Sequence, residues 1–176
     1  MITTILAPTD GSEHARKAVA FASDLASKYH ARLILLHALV HGHLAEALAD
    51  VDKLRSAGRD DAGLLKTIAG MRIEELMAKL GVRDKGKEAP RPVLQHIARQ
   101  VIKDAEDTAR LKGVTNIKSF VEDGDPAQRI LEYADKENVD LIVMGSRGLS
   151  DVEGLLVGST SHKVGHLSRC TVISVK

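Results

Sequence analysis

Tryptophan is absent, and only four aromatic residues occur: Phe21, Tyr29, Phe120 and Tyr133. That is too few for the stacked-ring platforms that bind single-stranded nucleic acid. It also disfavours a flavin or electron-transfer module. A single cysteine, Cys170, leaves no internal disulfide, and a reducing cytoplasm is the simple expectation. Charge of one sign is not in excess either. The net charge is +1, so no bulk attraction to nucleic acid or to an anionic membrane is expected. No run approaches the ~20 apolar residues that a membrane-spanning helix needs. The longest strongly apolar run, Leu33 to Leu36 followed by His37-Ala38-Leu39-Val40, has the length of a buried strand. The opening Met1 to Pro8 lacks a basic region and is broken by Pro8 and Asp10, so no targeting segment is expected.

What is present is ordinary globular composition, 44% hydrophobic and 28% charged over 176 residues. That length suits one domain, 1–176. Ile2 to Ala7 reads as a strand ended by Pro8-Thr9-Asp10-Gly11-Ser12, with Ser12 placed to cap a helix. In that helix Ala15, Ala18, Val19, Ala22, Leu25, Ala26 and Tyr29 form one apolar stripe. Arg32 to Val40 is a second, fully buried strand. Leu44, Ala47, Leu48, Val51 and Leu54 predict one further helix, and Leu65, Ala69, Ile73, Leu76 and Leu80 another. An exposed loop follows, from Gly81 to Pro92. Val93, Ile97, Val101 and Ala105 mark the next helix, and Ile117 to Val121 a third strand. Pro126 opens a helix, Asp140 to Met144 is a fourth strand, Ser159 to Ser168 a last helix and Thr171 to Val175 a fifth strand. Alternating strands and helices predict an α/β fold: an open five-stranded parallel sheet with helices on both faces. Ligands in such sheets sit outside the carboxyl ends of strands, where strand order reverses.

After the fourth strand the glycines fall at 145, 148 and 158, with Gly158-Ser159-Thr160-Ser161 opening the last helix. Glycine permits positive φ and close approach of backbone amides. A helix N-terminus adds free amides and a positive dipole end, which suits phosphate. The residues alone leave a plainer reading open, in which Gly145 and Gly148 shape a turn and Ser159 caps a helix. The pattern is neither a Walker A loop, for which no Gly-Lys-Ser/Thr is present, nor a dinucleotide fingerprint, which would follow the first strand.

The chain resembles the universal stress protein family in three stretches. Ile5-Leu6-Ala7-Pro8-Thr9-Asp10-Gly11-Ser12 is similar to that family's first strand and acidic turn. Asp140 to Gly148 is similar to its Asp-Leu-Ile-Val-Met-Gly-Ser-x-Gly strand. Gly145-x2-Gly148-x9-Gly158-Ser159 matches its ATP-binding pattern, Gly-x2-Gly-x9-Gly-Ser/Thr. The resemblance covers roughly 1–40 and 113–176. It implies an adenine nucleotide alpha hydrolase-like, Rossmann-like fold and bound ATP. Asp10, with the backbone of Ala7, Pro8 and Thr9, would hold adenine and ribose, and Ala38 would touch the adenine. Met144, Gly145, Arg147 and Gly148 would line ribose and phosphates. Gly158, Ser159, Thr160 and Ser161 would cradle the phosphates. Any Mg2+ would ride on phosphate oxygens, and Arg147 would pair with phosphate or lie in solvent. The resemblance also points to a homodimer through Thr171–Val175, an exposed edge open to pairing. The segment between strands two and three exceeds the family's usual crossover, so 41–81 is expected to be a helical insertion. It would pack on its own domain, cover the nucleotide or dock a protein partner.

Other signals are weaker. His41-Gly42-His43 lacks a matching third ligand, and His162 and His166, one turn apart, read first as a solvated face. His37 reads as a satisfied core histidine, and Ser12-Glu13-His14 is adjacency without a triad. Asp123 and Asp125 read as turn residues and Cys170 as a structural thiol. No metal site and no catalytic residue is assigned. The leading reading is an ATP-binding stress-response regulator that acts through an unknown protein partner. The rival is an enzyme that hydrolyses ATP or transfers its adenylyl group; no lysine or acid of the glycine loop plainly serves it.

Overall fold

The computed structural model describes residues 1–39, 91–148 and 158–176; the expected helical insertion 41–81 lies outside them. Strand β1 (Thr4–Pro8) is buried along its whole length. Helix α1 (Glu13–Tyr29) starts where Ser12 Oγ accepts the Ala15 amide at 3.3 Å. It ends at His30, which adopts φ 54°. Its buried stripe is Ala15, Ala18, Val19, Ala22, Ser23 and Ala26. Tyr29, expected in that stripe, is the last helical residue and is 48% exposed. Ser23 is fully buried because its hydroxyl donates to the Val19 carbonyl at 2.7 Å.

Strand β2 (Arg32–Leu39) is buried from Leu33 to Leu36, but His37 and Ala38 are half-buried. The expectation of a fully buried strand fails at His37 and Ala38, near its carboxyl end. Helix α2 (Arg91–Leu111) buries Leu94, Ala98, Val101, Ile102, Ala105 and Ala109, so the predicted Ile97 lies at the margin of its stripe. Strand β3 (Ile117–Asp123) follows. Helix α3 (Pro126–Lys136) is capped by Asp125, whose Oδ1 accepts the Gln128 amide at 2.8 Å. Strand β4 (Leu141–Gly145) is wholly buried; helix α4 (Ser159–Leu167) and strand β5 (Thr171–Val175) complete the described elements.

All pairings are parallel and the strand order is β3-β2-β1-β4-β5. Alternation along each strand feeds two apolar layers. Ile5, Ala7, Leu33, Leu35, Leu141 and Val143 pack with α1 and α2. Leu6, Ile34, Leu36, Ile142 and Met144 pack with α3 and with Val164 of α4. Helices therefore cover both faces, as expected of a parallel sheet.

At the amino end of the sheet, Asp140 ties β4 to β1. Its carboxylate accepts from the Thr3 amide at 2.7 Å, the Thr3 hydroxyl at 2.8 Å and the Thr4 amide at 3.0 Å. Those bonds, the Thr3 amide first, hold its carboxyl below the ordinary aspartate range. The aspartate that opens the fourth-strand motif is thus a clasp at the end opposite the glycines.

Candidate functional site

The chain runs outward from β1 through β2 to β3, then returns to β4 on the other side of β1. Strand order therefore reverses between β1 and β4, and the crevice outside the carboxyl ends of such neighbouring strands is where ligands sit in parallel sheets. The turn after β1 is held by several bonds. The Thr9 amide donates to the Leu36 carbonyl at 2.9 Å, and the Thr9 carbonyl lies 2.8 Å from His37 Nδ1. Gly11 adopts φ 83° and donates to Thr9 Oγ1 at 3.2 Å. The Ser12 amide donates to Asp10 Oδ1 at 2.9 Å, and Arg16 Nη1 donates to the Gly11 carbonyl at 3.1 Å. The positive φ at Gly11 is what bends this turn.

Asp10 Oδ2 faces the second loop. A Cβ built on Gly148 would lie 2.5 Å from it. Gly148 is therefore the residue that lets the first turn's carboxylate come against the loop after β4. Gly145 has a different reason. Its Cβ would lie 2.9 Å from the Ala15 amide nitrogen, the His14 carbonyl carbon and the Arg147 carbonyl oxygen. A bare α-carbon there lets the start of α1 press on the end of β4. None of Gly145, Gly148 and Gly158 has positive φ; among the described glycines only Gly11, Gly113 and Gly124 do. Close approach, not left-handed backbone, accounts for Gly145 and Gly148.

Ser146 joins the two halves of the second loop. Its amide donates to the Val175 carbonyl at 2.7 Å. Its carbonyl accepts the Gly158 amide at 2.8 Å and Ser161 Oγ at 2.7 Å. Two site expectations change here. The Gly158 amide is already used, and the Ser161 hydroxyl points to the Ser146 and Gly158 carbonyls instead of outward. Gly158, not Ser159, is the N-cap of α4, with φ −74° and no side-chain cap bond. Ser159, Thr160 and Ser161 form the first turn, and their amides have no partner among the described residues. Three free amides at the positive end of a helix are groups that suit an anion.

The other predicted residues fall around this crevice at different depths. Pro8 ends β1 and is buried; Thr9 is 6% exposed. Ala7 and Met144 bury their side chains in the two apolar layers, so they reach the crevice by their backbone. Arg147 is half-buried beside Gly148. Ala38 lies at the carboxyl end of β2, in register with Glu122 of β3. His41, His43, Asp151 and Glu153 lie outside the described residues.

Sequence reasoning missed two members of the frame. Ser146, 2% exposed, stands as a named serine of the fourth-strand motif, with no role assigned to it. His37 was read as a satisfied core histidine; its partner is the carbonyl next to Asp10. A carbonyl can only accept, so Nδ1 carries the proton. Burial pushes its pKa down, against the Thr9 bond and the charge of Asp10. The imidazole is thus neutral near pH 7, with its lone pair on Nε2. His37→Leu should cost about 1–3 kcal/mol by leaving the Thr9 carbonyl without a donor. His37→Asn, whose amide nitrogen takes the place of Nδ1, should recover most of that loss in denaturant titrations. Equal stability of the leucine variant and the parent would show that the bond holds nothing.

The family model for the universal stress protein family matches residues 1–176. A universal stress protein from Thermus aquaticus is 32% identical over 178 residues, covering 100% of both chains. A universal stress protein solved in complex with cAMP superposes with TM-score 0.60 at 24% identity, over 99% of this chain and 96% of that one. The universal stress protein from Archaeoglobus fulgidus in complex with dAMP gives TM-score 0.59 at 14% identity, over 100% and 98%.

Proposed function

This chain belongs to the universal stress protein family, and we propose that it binds ATP in the crevice between β1 and β4 as a nucleotide-dependent stress-response regulator. One observation carries the reading. The motif glycines meet the first turn in space: Gly148 lies against Asp10, and Gly158 opens the helix whose first amides are unpartnered. The cAMP and dAMP bound by two proteins of this fold support an adenine nucleotide as the ligand class.

The chain's residues fit such a ligand in one direction. Phosphates take the amides of Ser159, Thr160 and Ser161 and the hydroxyls of Ser159 and Thr160. Asp10, with the backbone of Pro8 and Thr9, holds ribose and adenine, and Ala38 closes on the base. Met144, Gly145, Arg147 and Gly148 wall the crevice between them. Mg2+ rides on the phosphate oxygens. Bound ATP supplies a charge to be read by a protein partner.

The test is mass spectrometry of nucleotide carried through purification, joined to calorimetric titration with ATP. Intact ATP and one site per chain are expected. Steady release of ADP, or of AMP and pyrophosphate, would replace this reading with hydrolysis or adenylyl transfer. No binding of any adenine nucleotide would remove it.

The assembly and location we propose are a single domain over 1–176, a cytoplasmic setting consistent with the lone Cys170, and a homodimer. Strand β5 pairs only with β4 among the described strands, with Thr171 and Ser174 exposed. A two-fold axis pairs such an edge with its own copy. Sedimentation at micromolar concentration should show twice the mass of one chain; a monomer would rule the edge pairing out.

A further inference from the structure

On the outer side of α4, away from the contacts that hold it, stand two imidazoles. His162 and His166 are exposed, with rings parallel to within 8° and centroids 6.4 Å apart. Residues four apart share one face of a helix. Among the described residues neither ring has a hydrogen-bond or ion-pair partner. Lys163, between them in sequence, turns aside to Asp125, with Nζ 3.2 Å from Oδ1. Their scaffold is firm. Val164 is fully buried, the Ser168 amide donates to its carbonyl at 2.9 Å, and Ser161 Oγ anchors the first turn at 2.7 Å.

We propose that His162 and His166 form a two-histidine chelate for a borderline transition-metal ion of the Zn2+, Ni2+ and Cu2+ class. Two neutral imidazoles suit these ions, whereas Mg2+ and Ca2+ take oxygen ligands. With metal–nitrogen bonds of about 2.0–2.1 Å, two rings on one tetrahedral ion have centroids roughly 5 Å apart. The rings therefore need to close by roughly 1 Å, which rotation of two exposed side chains supplies. The described residues offer no third histidine, cysteine or carboxylate to the pair, so water completes the coordination. This site is separate from the nucleotide crevice and needs no nucleotide.

The experiment is calorimetric titration of the full chain with Zn2+ alone at pH 7.5, without chelating buffer. One saturable site is expected. His162→Gln and His166→Gln should each weaken it about tenfold or more, because the second histidine otherwise binds at a high effective concentration. Glutamine favours helix at least as well as histidine, and circular dichroism checks that α4 persists. His41→Gln/His43→Gln should bind like the parent. Paramagnetic Ni2+ should broaden the ring resonances of His162 and His166 first. Binding unchanged in both α4 variants, loss in the His41/His43 variant, or no saturable binding would each overturn the proposal.

Discussion

Gly158→Val should lower ATP affinity about a hundredfold or more while costing the fold at most about 1 kcal/mol. Gly158 is extended, with φ −74° and ψ 159°, a conformation that any residue adopts. A Cβ there would lie 3.5 Å from Arg147 Cα and the Ser146 carbonyl and 3.6 Å from Ser161 Oγ, which are ordinary contacts. Its amide bond to Ser146 survives a side chain. The backbone thus gives no reason for glycine at this position. The reason that remains is the space over the first turn of α4, where an isopropyl group would displace phosphate. Losing two or more charge-assisted hydrogen bonds together accounts for the size of the effect. Adenosine carries no phosphate, so its affinity should barely move. Asp10→Ala should weaken ATP and adenosine alike. Calorimetry with both ligands, with melting curves as the folding control, separates these outcomes. If the valine variant binds ATP like the parent, the glycine loop is a turn and the nucleotide reading loses its physical support.

A neighbouring glycine should behave in the opposite way. Gly145→Ala should destabilise the fold by about 2–3 kcal/mol, lowering the melting temperature by roughly 5–10 °C for a chain of this size. Its Cβ would stand 2.9 Å from three backbone atoms, two of them at the start of α1. Backbone atoms cannot swing aside as a side chain does, so α1 must lift from β4. Gly148→Ala is the intermediate case. Only the carboxylate end of Asp10 stands in the way, and it can rotate at modest cost to stability. Nucleotide binding should then suffer through a displaced Asp10. Chemical denaturation of the two alanine variants tests the contrast. A Gly145→Ala protein as stable as the parent would show that the helix start has room to spare.

These two glycines show where sequence reading stops. Gly145 and Gly158 belong to one spacing motif and read alike as parts of a phosphate loop. In the folded chain one is a packing contact and the other a gap kept open. Spacing records which positions lack a side chain but not what stands opposite them. The same holds for Ser161, legible as a phosphate-binding hydroxyl, whose Oγ turns inward to the Ser146 carbonyl.

Element positions were legible because they depend on local pattern. Short continuous apolar runs mark the buried strands, and period-3.6 burial marks the helices, within a few residues of chain. Ser12 announces a helix start through a bond that spans three residues, whereas Asp125, legible only as a turn residue, proves to cap its helix in the same way. The α/β class, the five strands and the switch-point location follow from that order of elements. Only the tertiary structure decided which distant polar groups meet: His37 with Thr9, Asp140 with Thr3 and Thr4, Ser146 with Gly158 and Ser161. It also decided that a bare α-carbon at Gly148 faces the carboxylate of Asp10. Such contacts arise when packed elements fix the distance between their ends, and that distance is set by the two apolar layers as a whole, not by any short run of residues.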